Sequence, residues 1–238
     1  MTRRRWIADE VSTDTAALTG THAEHLVRVL RARVGQEFDI VAEGVVRRGR
    51  VSTIVDGRVE FELGPEISSS PPPVNLTLLL AVFKFDRMEW AIEKATELGV
   101  ARIIPVIARR TDSHLAAAAL KRVERWRRIA VQAAEQSRRN APPEFSEPMK
   151  LQASVNFPGS LRIVLSEAEQ HQSLRELISA NEGVSDALLA NGPEGGWTED
   201  ELDLFRKEGW TSASLGPTIL RAETAAIASV AITTALFS

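Results

Sequence analysis

Cysteine is absent from the 238 residues, and so is tyrosine. Without thiols there is no disulfide, no cysteine–zinc or iron–sulfur site and no thiol nucleophile. The four histidines, His22, His25, His114 and His171, are too scattered to suggest a metal cage, and no metal is expected. Long apolar runs are missing too. The uncharged C-terminal stretch, Thr224 to Ser238, holds five Ser or Thr in 15 residues. That is short for a membrane span and predicts a buried helix. No apolar signal core follows the opening Met-Thr-Arg-Arg-Arg-Trp, so a cytoplasmic chain without membrane attachment is expected. G-x-G does not occur, which removes the Rossmann fingerprint. Gly44 and Gly49 have P-loop spacing without the Lys-Ser/Thr end that holds phosphate and Mg²⁺. Neither G-x-S-x-G nor H-E-x-x-H is present.

What is present is an ordinary globular composition, 44% hydrophobic and 26% charged, with enough chain for one large or two smaller domains. The net charge of −3 hides an asymmetry: residues 84–139 carry +6, whereas 140–238 carry −8. A basic middle in an acidic chain points to a local anion-binding face. Arg outnumbers Lys 24 to 5, which suits bidentate phosphate contacts and base stacking; genome composition alone produces the same bias.

Ser68-Ser69-Ser70-Pro71-Pro72-Pro73 reads as a linker, dividing the chain into domains 1–67 and 74–238. Before it, Thr21-x-x-Glu24 has capping-box spacing and opens a short helix with Leu26, Val29 and Leu30 on one face, closing near Gly35. Phe38 to Val41, Val45-Val46, Val51 to Val55 and the alternating Val59, Phe61 and Leu63 predict short strands, with a hairpin turn at Asp56-Gly57. The unit reads as a small β-barrel with one helix. After the linker the pattern is α/β with a mainly parallel sheet. Predicted strands are Leu76 to Phe83, Arg102 to Ile107, Leu161 to Leu165, Ala187 to Ala190 and Ala213 to Leu215. A helix capped by Asp86 carries Met88, Ala91, Ile92, Ala95 and Leu98 on one face. A long helix, Leu115 to Arg139, has the core stripe Ala119, Val123, Trp126, Ala130 and Ala133. Its opposite stripe is Lys121, Arg125, Arg128, Gln132, Glu135 and Arg139.

Three segments are candidates for chemistry. Asn191-Gly192-Pro193-Glu194-Gly195-Gly196-Trp197-Thr198 follows a buried strand, and Thr198-x-x-Glu201 caps the next helix. Free backbone N–H groups at the carboxyl end of a strand are where open α/β sheets bind ligands; an ordinary tight loop has the same form. Leu215-Gly216-Pro217-Thr218-Ile219-Leu220-Arg221-Ala222-Glu223-Thr224 leads into an Ala-rich helix. Arg221 and Glu223 are the sole charges after Gly209, so they are functional or form a structural ion pair. Glu135-Gln136-Ser137-Arg138-Arg139-Asn140 offers dense hydrogen-bonding groups for phosphate or base contacts, or is a solvated helix end.

Taken in order, these segments resemble one family, the 16S ribosomal RNA N3-uridine methyltransferases (small-subunit methyltransferase E). The resemblance rests on Gly192-Pro-Glu-Gly-Gly196, Ser214-Leu-Gly-Pro217 and Ile219-Leu-Arg221 with Glu223-Thr-Ala225. It extends to Lys84-x-Asp86-Arg87-Met88-Glu89 with Lys94-Ala-Thr-Glu-Leu-Gly99, to Glu135-Gln-Ser137 with Arg139, and to His25-Leu-Val-Arg28-Val-Leu-Arg31 with Gly35.

The resemblance implies a PUA-like N-terminal β-barrel and a C-terminal SPOUT domain with a deep trefoil knot. It implies a homodimer, S-adenosyl-L-methionine as cofactor, and N3 of uracil-1498 in the 16S rRNA of the small ribosomal subunit as target. The cofactor cradle would be Leu165, Ser166 and Glu167, then Ala190, Asn191, Gly192, Pro193, Glu194, Gly195 and Gly196, then Leu215, Gly216, Pro217, Ile219 and Leu220. Arg221 would polarise a uracil carbonyl or bind its phosphate. Glu223 or Glu194 would accept the proton or hold Arg221, with Arg139 and Glu135 as second candidates. Arg28, Arg31, Lys84, Arg87, Lys94, Arg125, Arg128, Arg138 and Arg139 would hold RNA. The family usually has an apolar residue at 191, Arg at 218, Thr at 222 and Gly at 138; this chain has Asn191, Thr218, Ala222 and Arg138. Another RNA target, or a non-catalytic ribosome assembly factor, fits the same residues.

Overall fold

The computed structural model describes residues 5–67 and 74–237; the 68–73 segment expected as a linker lies outside them. Two compact units form. The first joins the chain before that segment to Ala134–Pro142. Its strands are β1 (Arg5–Ile7), β2 (Glu10–Val11), β3 (Thr15–Thr19), β4 (Glu37–Ala42), β5 (Val45–Val55) and β6 (Arg58–Glu66), with helix α1 (Gly20–Glu24). They make a curled mixed sheet in the order β1-β4-β5-β6-β3-β2, in which β1 and β4 run parallel and the other pairs antiparallel. The expected hairpin is present: Gly57 takes φ +71 at the turn, and Val59, Phe61 and Leu63 point into the core. The two strands expected at 45–46 and 51–55 are one strand, β5. Its polar middle hides this in the sequence. Gly49 sits where a Cβ would meet Ile40 Cγ1 at 2.4 Å, and the register shifts there.

The first helix differs from expectation. It starts at Gly20, and no side chain caps it. A π-helical turn, His25–Val29, continues it. The wider turn moves the residues after Leu26 off the buried stripe. Leu26 is buried, whereas Val29 is 63% and Leu30 45% exposed. The turn closes at Arg31 (φ +54), not at Gly35.

In the second unit are β7 (Asn75–Ala81), α2 (Phe85–Glu97), β8 (Arg102–Ile107), most of α3 (Ser113–Gln136), β9 (Glu144–Phe145), β10 (Met149–Lys150) and α4 (Leu151–Ser154). There follow β11 (Leu161–Leu165), α5 (Leu174–Ser179), β12 (Asp186–Asn191), α6 (Glu199–Lys207), β13 (Thr211–Ala213) and α7 (Ala222–Leu236). The sheet is parallel throughout, in the order β10-β8-β7-β12-β11-β13, with β9 beside β8. Burial on both faces explains the nearly unbroken apolar runs. Leu76, Leu78 and Leu80 face α2, α3, α5 and α7, while Leu79 and Ala81 face α4 and α6. Each such leucine contributes about 1.5–3 kcal/mol by leaving water.

Several expectations shifted: β7 ends at Ala81 and α3 at Gln136, two and three residues before expected. Asp86 is not a cap: α2 follows Lys84, and Asp86 sits in its first turn, where a carboxylate favours the helix dipole. β13 ends at Ala213, two residues before expected. The polar stripe of α3 breaks at Glu135, which is fully buried, because the end of this 24-residue helix belongs to the first unit. Beyond β11 the chain makes a loop, residues 166–173. Ser166 N–H donates to Ala213 O; Ser214 N–H donates to Gln172 O and Leu174 N–H to Ser214 O. Ser214 is therefore flanked by both ends of that loop.

Candidate cofactor cleft and catalytic residues

β12, β11 and β13 are neighbours and end on the same edge of the sheet. In chain order the loops after them line one cleft, with Leu165, Ser166 and Glu167 from the first, after β11, Asn191, Gly192, Pro193, Glu194, Gly196 and Trp197 from the second, after β12, and Ser214 through Leu220 from the third, after β13. Ala222 and Ala225 of α7 complete it. The structure thus brings together the three segments read from the sequence. Two expected residues lie just outside the lining: Ala190 is buried in β12, and Gly195 backs onto the Arg110 side chain. Trp197, Ser214, Thr218, Ala222 and Ala225 line the cleft as well; they fall inside the segments read from the sequence but outside the expected cradle. Trp197 was legible as the aromatic after the Gly pair, but small Ala and Ser residues carry no such signal.

The lining contains two carboxylates, Glu167 and Glu194, and no basic side chain. Such a site favours a cation over a phosphate. Leu165, Trp197, Leu215, Leu220 and two prolines supply apolar walls for a flat ring. Two glycines let side chains of the cleft pack against the loop backbone. A Cβ on Gly196 (φ +70) would lie 2.2 Å from Glu167 Oε1, and one on Gly192 would lie 3.2 Å from Trp197 Nε1. That indole N–H is buried and has no partner among the described residues. Arg110 fixes the second loop, donating from Nη1 to Gly195 O at 2.7 Å and to Trp197 O at 3.2 Å. The Thr198–Glu201 capping box is formed as expected.

The charges beside the cleft are arranged differently from the expectation. Neither Glu194 nor Glu223 holds Arg221, which starts α7 exposed. Both carboxylates instead take Arg87: Nη1 lies 3.3 Å from Glu194 Oε1, and Nε lies 3.7 Å from Glu223 Oε1. Glu223 is 4% exposed, and its Oε2 has no hydrogen-bond partner among the described residues. Glu135 and Arg139 lie in the first unit. Glu135 is 3.7 Å from His22 Nε2, and His22 Nδ1 is 3.2 Å from Asp9. Burial pushes the Arg139 guanidinium down to about 10. This cluster holds the end of α3 within the first unit, and Glu135 is fully buried there.

Of the residues expected to hold RNA, Lys94 is engaged by Glu93 and Glu97, and Arg125 takes Glu89 through two hydrogen bonds. Lys84, Arg28, Arg31, Arg128 and Arg138 are exposed. Arg138 takes φ +62, the left-handed conformation that a glycine would fill without strain. The other departures also have local settings. Asn191 is buried and exchanges hydrogen bonds with Ser229 of α7. Thr218 stands exposed on the third loop, and Ala222 packs into the cleft wall.

The family model of the RNA methyltransferase domain matches residues 70–234. Curated relatives named ribosomal RNA small subunit methyltransferase E include one from Rickettsia conorii, 31% identical over 90% of this chain and 87% of that one. Another, from Mycobacterium tuberculosis, is 34% identical over 89% of this chain and 82% of that one. The fold superposes on a Legionella pneumophila methyltransferase in complex with the cofactor SAM, with a TM-score of 0.86, 26% identity and coverage of 99% of this chain and 98% of that one. It also superposes on a ribosomal RNA small subunit methyltransferase E from Neisseria gonorrhoeae bound to S-adenosyl methionine. There the TM-score is 0.84 and the identity 29%, with 97% and 96% of the two chains covered.

Proposed function

Since the chain belongs to the RNA methyltransferase family, we propose that it transfers the methyl group of S-adenosyl-L-methionine to N3 of a uridine in 16S rRNA, with uracil-1498 the expected target. The observation that carries this reading is the cleft. Its carboxylates suit a sulfonium and an ammonium, and its apolar walls suit an adenine. Glu167 and Trp197 Nε1 offer an acceptor and a donor for the ligand's polar groups.

When bound, the cofactor supplies a methyl group already activated by positive sulfur. The chain must then align the acceptor and remove its proton. Uracil N3 lies on the Watson–Crick edge and carries that proton, so the base must be unpaired. Glu194 lines the cleft and reaches solvent, which supports it over the buried Glu223 as the acceptor of the proton. Arg221, exposed at the start of α7, would stabilise charge gathering on a uracil carbonyl.

Three features support the finer family traits. Passage of Ser214 between the two ends of loop 166–173 fits a knotted C-terminal unit. The curled first sheet with its single helical segment fits a PUA-like module. Exposed Ile219 and Leu236, with few charges on α7, fit a homodimer.

Labelled methyl transfer to small subunits lacking the modification tests the reading. N3-methyluridine is the expected product; no cofactor binding at all would leave a ribosome assembly factor. Arg221→Ala should abolish most transfer, and full activity would remove Arg221 from the mechanism. Arg110→Ala frees two loop carbonyls. At about 1 kcal/mol of loop order lost, the Kd for the cofactor should rise about fivefold, read by calorimetry.

A further inference from the structure

The second unit has another cavity, which shares no lining residue with the cofactor cleft. Its volume is about 660 Å³, within the range of small-molecule sites. Ile107 closes β8 and Lys150 closes β10, and both line it. The strands of this sheet are parallel, so the cavity lies at their carboxyl ends, where open α/β sheets take ligands. It is bounded by α4 and α6, whereas α7 closes the cofactor cleft.

Four charged side chains line the cavity, and they are not equivalent. Glu201 is buried and already satisfied. Its Oε1 accepts from Arg109 N–H at 2.7 Å, and its Oε2 accepts from Thr198 N–H at 2.8 Å and from the Thr198 hydroxyl at 3.0 Å. Asp200 sits in the first turn of α6, where the helix dipole offsets its charge. The Arg109 guanidinium and the Lys150 ammonium are different. Both residues are exposed, and neither cationic group has an ion pair or hydrogen bond among the described residues. The uncompensated charge of the lining is therefore positive. Ile107, Leu151 and Leu204 add an apolar wall.

We propose that this cavity binds a free nucleoside monophosphate, which acts as an effector of the cofactor cleft. Arg109 and Lys150 take the phosphate. The apolar wall takes the base, and the Gln152 amide meets its polar edge. The Asp200 carboxylate accepts from the ribose hydroxyls, a common role for an acid beside a nucleotide. Inorganic phosphate leaves the apolar wall uncovered, and a nucleotide inside an RNA chain has no free cis-diol for Asp200. The link to the cofactor cleft runs through the backbone. Arg109 and Arg110 are adjacent, and Arg110 donates to Gly195 O and Trp197 O of the cofactor loop. Glu201 clasps Arg109 N–H and Thr198 together. A nucleotide that fixes Arg109 therefore steadies the loop that lines the cleft, and by linkage the cofactor tightens the nucleotide by the same factor. The coupling rests on the reading of that cleft as the cofactor site; the nucleotide site does not.

The test is calorimetric titration of the full chain with uridine monophosphate, with inorganic phosphate and with a short RNA, each with and without saturating S-adenosylhomocysteine. Uridine monophosphate should bind saturably, about tenfold tighter than inorganic phosphate, and should tighten about threefold further with S-adenosylhomocysteine in place. Arg109→Ala/Lys150→Ala should weaken the nucleotide about tenfold and leave the Kd for S-adenosylhomocysteine alone unchanged. Asp200→Ala should erase the preference for uridine over 2′-deoxyuridine monophosphate. Glu201→Gln should keep nucleotide binding and lose the coupling. Equal binding of nucleotide and inorganic phosphate, or unchanged nucleotide binding by the double variant, would overturn the proposal. Displacement of the nucleotide by S-adenosylhomocysteine would place it in the cofactor cleft and overturn the proposal too. Tighter binding of the RNA than of the free nucleotide would give the cavity to a polynucleotide, again overturning it. Intact nucleotide binding with no binding of S-adenosylhomocysteine would be a failure of the methyltransferase reading alone.

Discussion

Gly196→Ala should lose cofactor affinity by about 50-fold or more while the fold survives. Two effects act at this position and can be separated. Alanine at φ +70 costs about 1 kcal/mol in backbone strain. The new Cβ also falls 2.2 Å from Glu167 Oε1, so that side chain must move. Moving an exposed glutamate costs little. Its carboxylate, however, forms part of the cleft wall, so displacing it reshapes the site. Gly209→Ala is the control. Gly209 has φ +78, and a Cβ there would meet nothing within 4 Å, so it carries the strain without the collision. Both variants should lose similar stability in a thermal melt; calorimetric titration should show an affinity loss for Gly196→Ala alone. Equal affinities would mean that the cofactor does not approach this loop.

The cleft was legible because its parts have strong local signals. A buried strand must be apolar throughout, a Gly-Pro-x-Gly-Gly stretch cannot continue it, and Thr198-x-x-Glu201 starts the next helix, so the loop between had to lie at a strand's carboxyl end. That three such loops meet is decided by the order of β12, β11 and β13, a long-range pairing that no local pattern encodes. The same limit explains Arg87. Its neighbours in sequence place it on the exposed face of α2, where an arginine reads as a free cation for RNA. Its partners lie 107 and 136 positions away and appear only once the sheet is assembled. Short strands such as β1 and β2 were missed because two or three residues show no period. The π-turn at His25–Val29 was missed because a capping-box spacing at Thr21 and Glu24 outweighed it; the chain uses Gly20 and Thr19 there instead.

Arg87→Ala should therefore destabilise the second unit rather than only weaken RNA. Arg87 is the one described partner of Glu223, whose side chain is 6% exposed, and of Glu194, at 38%. Removing it strands a buried carboxylate. Breaking a fully buried pair costs about 3–5 kcal/mol. With the contact at 3.7 Å and Arg87 one-third exposed, about 2 kcal/mol is expected here, a fall of roughly 4–8 °C in Tm for a unit of this size. The two acids should then behave differently. Glu223→Gln in the Arg87→Ala background should recover much of the loss, because a neutral amide is cheaper to bury than an unpaired charge. Glu194→Gln in that background should recover little, because solvent already screens that carboxylate. A merely RNA-binding Arg87 gives the opposite pattern, in which the Tm is unchanged, the KM for RNA rises and neither second substitution rescues. The double-mutant cycle decides between these roles, and it also assigns Glu223. If Glu223→Gln restores stability and methyl transfer together, Glu223 holds Arg87 in place and takes no proton from the substrate.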